Sequence, residues 1–218
     1  MGIITRSAAN NITTGGVILP AGINDASVAS VTELAQVSAG DGITLISSQT
    51  ASSSASLSFT SGIDSTYRTY LFKFINCHPA TDSVYFQFNL STDSGSNYNV
   101  TKTTTFFRAY HDEADTATEL AYRNGEDLSQ STAYQGLSYE TGNGADESLS
   151  GSLTLFNPSS TTYVKHFIST FNNYYSANYP MNDFIAGYGN TTSAINAINF
   201  KFSSGNIDAG TIHMYGIA

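Results

Sequence analysis

Three carboxylates and an imidazole fall within five residues, His111-Asp112-Glu113-Ala114-Asp115, the densest run of chemistry-bearing side chains in the chain. Oxygen ligands of this kind suit Ca²⁺, but the run lacks the regular Asp/Asn spacing and ordering Gly of a calcium loop. A solvated acidic loop is its plainer reading. Asp93-Ser94-Gly95-Ser96-Asn97 likewise reads first as an ordinary hairpin turn. Cys77-His78 is a second candidate. Adjacent strand residues point to opposite faces, so these two side chains do not meet within a strand, and a buried small thiol beside a turn is expected. Asp112, Glu113, Glu126, Asp127 and Glu140 are the carboxylates from which a glycoside-hydrolysing pair would be drawn, because such a pair is defined by distance in space. No nucleophile elbow, H-E-x-x-H motif, P-loop or dinucleotide fingerprint is present. No catalytic residue, metal or cofactor is expected.

Aromatic side chains offer a different chemistry. The chain has 14 Tyr and 13 Phe but no Trp. Tyr174, Tyr175 and Tyr179 fall in a segment that reads as Tyr-rich loops, near Asn173 to Tyr188, where exposed rings would stack on sugars or face a partner subunit. Filling a core or an interface is the commoner use of such rings. Charged residues are only 11% of the 218, against roughly 25% in ordinary soluble domains. The formal net charge is −9 and the pI near 4.6. Nucleic acid and anionic membranes are therefore poor partners, since both require a basic face. Abundant aromatics also argue against disorder. Cys77 is the only cysteine, so no intrachain disulfide forms. No apolar run approaches the roughly 18 residues of a membrane span. The start, Met1-Gly2-Ile3-Ile4-Thr5-Arg6, lacks the pattern of a secretory leader, so a protein made without export is expected.

The elements that must position these side chains are strands. Leu57 and Phe59, Phe86, Phe88 and Leu90, Leu149, Leu153 and Leu155, and Ile198, Phe200 and Phe202 each alternate with small or polar residues. Period two places one face in a core and the other in water. Tyr70-Leu71-Phe72-Lys73-Phe74-Ile75 is apolar on both faces, as in a central strand or one packed on a neighbouring subunit. Turn chemistry at 93–97, 123–126, 141–144 and 203–206 separates the runs. A strand is expected from Tyr163 to Thr170. The segment from His111 to Tyr122 reads as a helical turn or a long acidic loop. The fold expected is all-β, an antiparallel β-sandwich, jelly-roll-like, over residues 57–218.

Residues 1–56 contain no Phe or Tyr, so they read as an N-terminal attachment arm and linker. The Ser-rich stretch 47–56 closes it as a linker or an exposed strand. One short helix is possible after Asn24 or Asp25, with Val28, Val31, Leu34 and Ala35 on one face. Ile18, Leu19, Val28, Val31 and Leu34, together with Tyr174, Tyr175 and Tyr179, are the residues assigned to partner binding. Low charge and many rings describe an obligate interface as well as a core. Self-association is expected.

Several segments resemble known proteins. Thr60-Ser61-Gly62-Ile63-Asp64-Ser65-Thr66-Tyr67, Phe74-Ile75-Asn76-Cys77-His78-Pro79-Ala80-Thr81-Asp82, Phe88-Asn89-Leu90-Ser91-Thr92-Asp93-Ser94-Gly95-Ser96-Asn97-Tyr98, Leu155-Phe156-Asn157-Pro158-Ser159-Ser160-Thr161-Thr162 and the ending through Met214-Tyr215-Gly216-Ile217 are similar to tailed-phage virion structural proteins, those of marine cyanophages above all. The resemblance implies a non-enzymatic virion surface component of β-sandwich type, an appendage fibre or capsid decoration subunit, often a homotrimer. It implies assembly in the host cytoplasm and other capsid or tail proteins as partners. A host receptor- or glycan-binding module of the tail is the alternative.

Overall fold

The computed structural model describes residues 42–218, where the alternation resolves into twelve strands with no helix. In chain order these are β1 (Ile43–Thr50), β2 (Leu57–Phe59), β3 (Thr69–Pro79), β4 (Phe86–Ser91), β5 (Lys102–His111), β6 (Thr118–Tyr122), β7 (Gln135–Gly136), β8 (Leu149–Phe156), β9 (Lys165–Tyr175), β10 (Tyr179–Gly189), β11 (Ala197–Phe202) and β12 (Ile207–Ile217). An eight-stranded sheet runs β1-β12-β3-β8-β9-β10-β5-β6, and a four-stranded sheet runs β2-β11-β4-β7. All pairings between these strands are antiparallel. The architecture is the all-β antiparallel one expected. A jelly roll divides eight strands between two sheets by two Greek keys; the eight-and-four division supports the two-sheet body without that finer topology.

Phenylalanines fill the space between the sheets. Phe72 and Phe74 of β3 and Phe171 of β9 face Phe59, Phe86, Phe88 and Phe200 from the smaller sheet, all of them buried. Phe200 is the hub: its ring centroid lies 4.9 Å from Phe74, 5.5 Å from Phe72, 6.2 Å from Phe86, 6.3 Å from Phe59 and 6.4 Å from Phe88. Edge-to-face and offset contacts of this kind add about 0.5–1.5 kcal/mol per pair beyond area burial. Gly151 makes one of them possible. It pairs with both Phe74 and Phe171, whose centroids meet at 4.8 Å. A Cβ there would lie 2.5 Å from the Thr170 carbonyl oxygen and 2.7 Å from the Phe171 ring. Gly151→Ala is expected to cost about 1–3 kcal/mol through overpacking, measured as a lower urea midpoint.

Four expectations are corrected. The body starts before Leu57: β1 pairs with β12, Ala51 is buried, and Ser54 bridges Ile207. Residues 43–50 join the large sheet as its edge strand β1, which needs no large side chains. The segment from His111 to Tyr122 contains no helical turn; it is the β5–β6 hairpin. Asp112 closes that hairpin by accepting the Thr116 and Ala117 amides, each at 2.7 Å, and the Thr116 hydroxyl. The segment from Asn173 to Tyr188 is the end of β9 and most of β10, joined by a tight turn, so these tyrosines sit on paired strands, with Tyr175 opposite Tyr179. Asn89 and Asn199, read as solvent-facing, are buried. Asn89 donates to the Tyr98 and Thr132 carbonyls, and Asn199 bonds Tyr134 and Ser58. Loops after β4 and β6 thus cover the outside of the small sheet. Ile18, Leu19, Val28, Val31, Leu34 and the helix expected after Asn24 or Asp25 lie outside the described residues.

Candidate functional site

One end of the body gathers the most chemistry. Arg108 on β5 and Asp183 on β10 are direct cross-strand partners on the inner face. Asp183 is fully buried. One of its oxygens accepts the Tyr139 amide at 3.0 Å; the other has no partner. Burial pushes this carboxyl up to about 7, against the pull of the Tyr139 N–H and Arg108, and Glu126 raises it further. Asn173 on β9 donates to the Tyr139 carbonyl at 2.9 Å. The Arg108 guanidinium lies 4.2 Å over the Tyr139 ring and 5.4 Å from that of Tyr110, with Glu119 at 3.6 Å. Tyr139 is therefore held through its amide, its carbonyl and its ring, which clamps the segment before β8 onto the large sheet.

Tyrosines continue outward from this clamp. Tyr85 meets Tyr139 at 5.4 Å, Tyr139 meets Tyr175 at 5.9 Å, Tyr175 stacks on Tyr179 at 5.4 Å, and Tyr179 stacks on Tyr110 at 5.2 Å. Burial pushes the Tyr175 phenol up to about 12, and the Glu140 hydrogen bond adds to this. Burial also raises Tyr85 and Glu126. Of the sequence candidates, Tyr175 and Tyr179 enter this cluster. Tyr174 turns away from it and donates to Glu113 at 3.0 Å. The candidate carboxylates do not converge as a group: Asp112 and Glu113 sit at the β5–β6 turn, Asp127 accepts the Tyr122 hydroxyl at 2.6 Å, and Glu126 and Glu140 border the cluster. Cys77 is buried, its thiol pushed up to about 12, while His78 contacts the Gly144 carbonyl oxygen at 3.1 Å. Arg108, Tyr139 and Asp183 were missed because they are far apart in sequence. The available signal was a lone Asp in the apolar run of β10.

A carboxyl near neutrality suits proton transfer, but Asp183 is sealed beneath Tyr139 and faces no nucleophile. The arrangement is chemically a clamp. Among the described residues no group of three or more His, Cys, Asp or Glu is placed to hold a metal ion.

The outer face of the large sheet has a different character. One registered row crosses all eight strands through Ser48, His213, Lys73, Ser152, Thr170, Phe184, Phe107 and Tyr122. The next runs through Leu45, Tyr215, Leu71, Thr154, Ile168, Ala186 and Thr105. These two rows contain no carboxylate. Phe107 and Phe184 stack on this face at 4.9 Å, and Leu45, Phe107, Leu120, Tyr122, Phe156 and Ile168 are exposed. Phe156, His166, Ile168 and Tyr188 line a recess of about 470 Å³. No second layer covers this side among the described residues.

Compared with known proteins, the chain matches no family model, no curated relative and no solved structure.

Proposed function

We propose that this chain is a non-enzymatic structural subunit of a tailed-phage virion, an appendage or capsid decoration protein that attaches through its N-terminal segment and assembles through its large sheet. The observation that carries this reading is the outer face: eight strands wide, without carboxylates in its central rows and studded with exposed rings and aliphatics, on a chain of net charge −9. Exposed apolar patches rimmed by polar residues mark interaction surfaces. The resemblance to virion proteins supplies the setting. The buried, internally bonded state of Asp183 supports a mechanical role for the chemically richest cluster.

The test is binding of purified chain to intact particles. Because β1 is part of the sheet, truncation should remove residues 1–41 only. The full chain should bind capsids or tails, and the truncated chain should fold but lose that binding. Hundreds of copies over the shell mean decoration, and a few at one vertex mean a tail appendage. Absence of any particle affinity, or product release from polysaccharide, overturns the proposal.

A further inference from the structure

The two ends of the large sheet are complementary. β1 and β6 are its outermost strands, and among the described residues neither has a second neighbour. Unpaired edges invite added strands, and proteins that stay apart blunt them with charge, Pro or bulges. β1 contains neither charge nor Pro, and its one irregularity, between Leu45 and Ser47, leaves Ile43 to Leu45 regular. The single charge in β6, Glu119, is turned inward to Arg108. Both edges present apolar side chains on the same outer face: Leu45 is 53% exposed on β1, and Leu120 is 74% exposed on β6.

Strand direction decides how copies fit. Eight successive antiparallel neighbours make β1 and β6 run in opposite directions. A copy placed alongside in the same orientation therefore sets its β6 antiparallel to β1, continuing both the ladder and the outer face. A two-fold contact of β1 with itself would leave both β6 edges, with the more exposed leucine, uncovered. Each copy also carries net charge −9, so contact is easiest where carboxylates are absent or turned away.

We propose that copies of this chain associate head to tail, the β6 edge of one beside the β1 edge of the next, closing into a ring. A heterologous contact closes or grows without limit, and closure leaves no open edge. This rests on the assembly reading above and names the partner as a second copy.

The experiment is native mass spectrometry and light scattering on the full chain, with variants whose changes lie at exposed positions and whose melting temperatures are compared with wild type. Wild type should form one closed oligomer. Leu120→Glu alone, and Leu45→Lys alone, should each raise the concentration at half-dissociation at least tenfold. Leu45→Lys with Leu120→Glu in one chain should recover most of that loss, because every head-to-tail contact then pairs one lysine with one glutamate. A monomeric wild type overturns the proposal. So does indifference to either single variant, the result expected of a two-fold contact through one edge, or a double variant that recovers nothing relative to the weaker single. Particle binding is a separate readout, so failure here and failure of the virion reading are distinguishable.

Discussion

Asp183→Asn is expected to raise the melting temperature at pH 8 and to flatten the decline in stability expected of the wild type between about pH 4 and pH 7. The folded carboxyl is raised by burial from 3.8 to about 7. A raised acid binds its proton more tightly when folded, so its contribution is fully present below pH 3.8 and is lost as pH rises through about 7. Three units correspond to about 4 kcal/mol between those limits. Asparagine keeps an oxygen for the Tyr139 amide and carries no charge to desolvate. Arg108 is not stranded, because Glu119 and the Tyr139 ring remain beside it. Thermal melts from pH 4 to pH 10 measure this. A variant as pH-sensitive as wild type, or less stable at pH 8, would show that the charge is compensated within the fold.

Lys102 supplies an internal control of opposite sign. It is buried, and its ammonium donates to the Asn89 side-chain oxygen at 2.6 Å and the Val100 carbonyl at 2.8 Å. Burial depresses it to about 7. A lowered lysine contributes stability present above about 10.5 and lost as pH falls through about 7. The two groups together put a minimum near neutrality in the wild type. Asp183→Asn should remove the acid-side limb and leave the alkaline one.

How far the sequence reveals this protein depends on which physical signal a feature leaves. Alternation at Phe86, Phe88 and Leu90 identifies β4 and its buried face, because the core demands period two. The neighbouring Asn89 follows the same alternation, yet loops from elsewhere in the chain bury it, and no local pattern reports a covering loop. β1 is legible only as one of two alternatives, for a related reason: an edge strand with one exposed face is built from Ser, Thr and Gln as readily as a linker is. The Arg108–Asp183–Tyr139 clamp joins residues 31 to 75 positions apart, whose proximity follows from strand order alone. Tyr175 and Tyr179 are visible as rings, but the stacking of Tyr179 on Tyr110 requires β5 to lie beside β10.

Phe200→Ala and Phe107→Ala should separate folding from assembly. Phe200 is fully buried and touches five other rings, so its removal loses transfer energy and leaves a cavity that surrounding phenylalanines fill poorly. The expected cost is about 3–5 kcal/mol, a large share of the roughly 5–15 kcal/mol that holds a domain together. It should appear as a much lower urea midpoint at unchanged slope. Phe107 is the second ring of the Phe106-Phe107 doublet. Strand geometry sends the first ring into the core and the second onto the outer face, where it stacks on Phe184. Its loss should cost about 1 kcal/mol of folding stability and should weaken self-association, because it stands in the row that ends at Tyr122 on the β6 edge. If Phe107→Ala destabilised folding as much as Phe200→Ala, the outer face would be part of the core rather than a surface kept open for another copy.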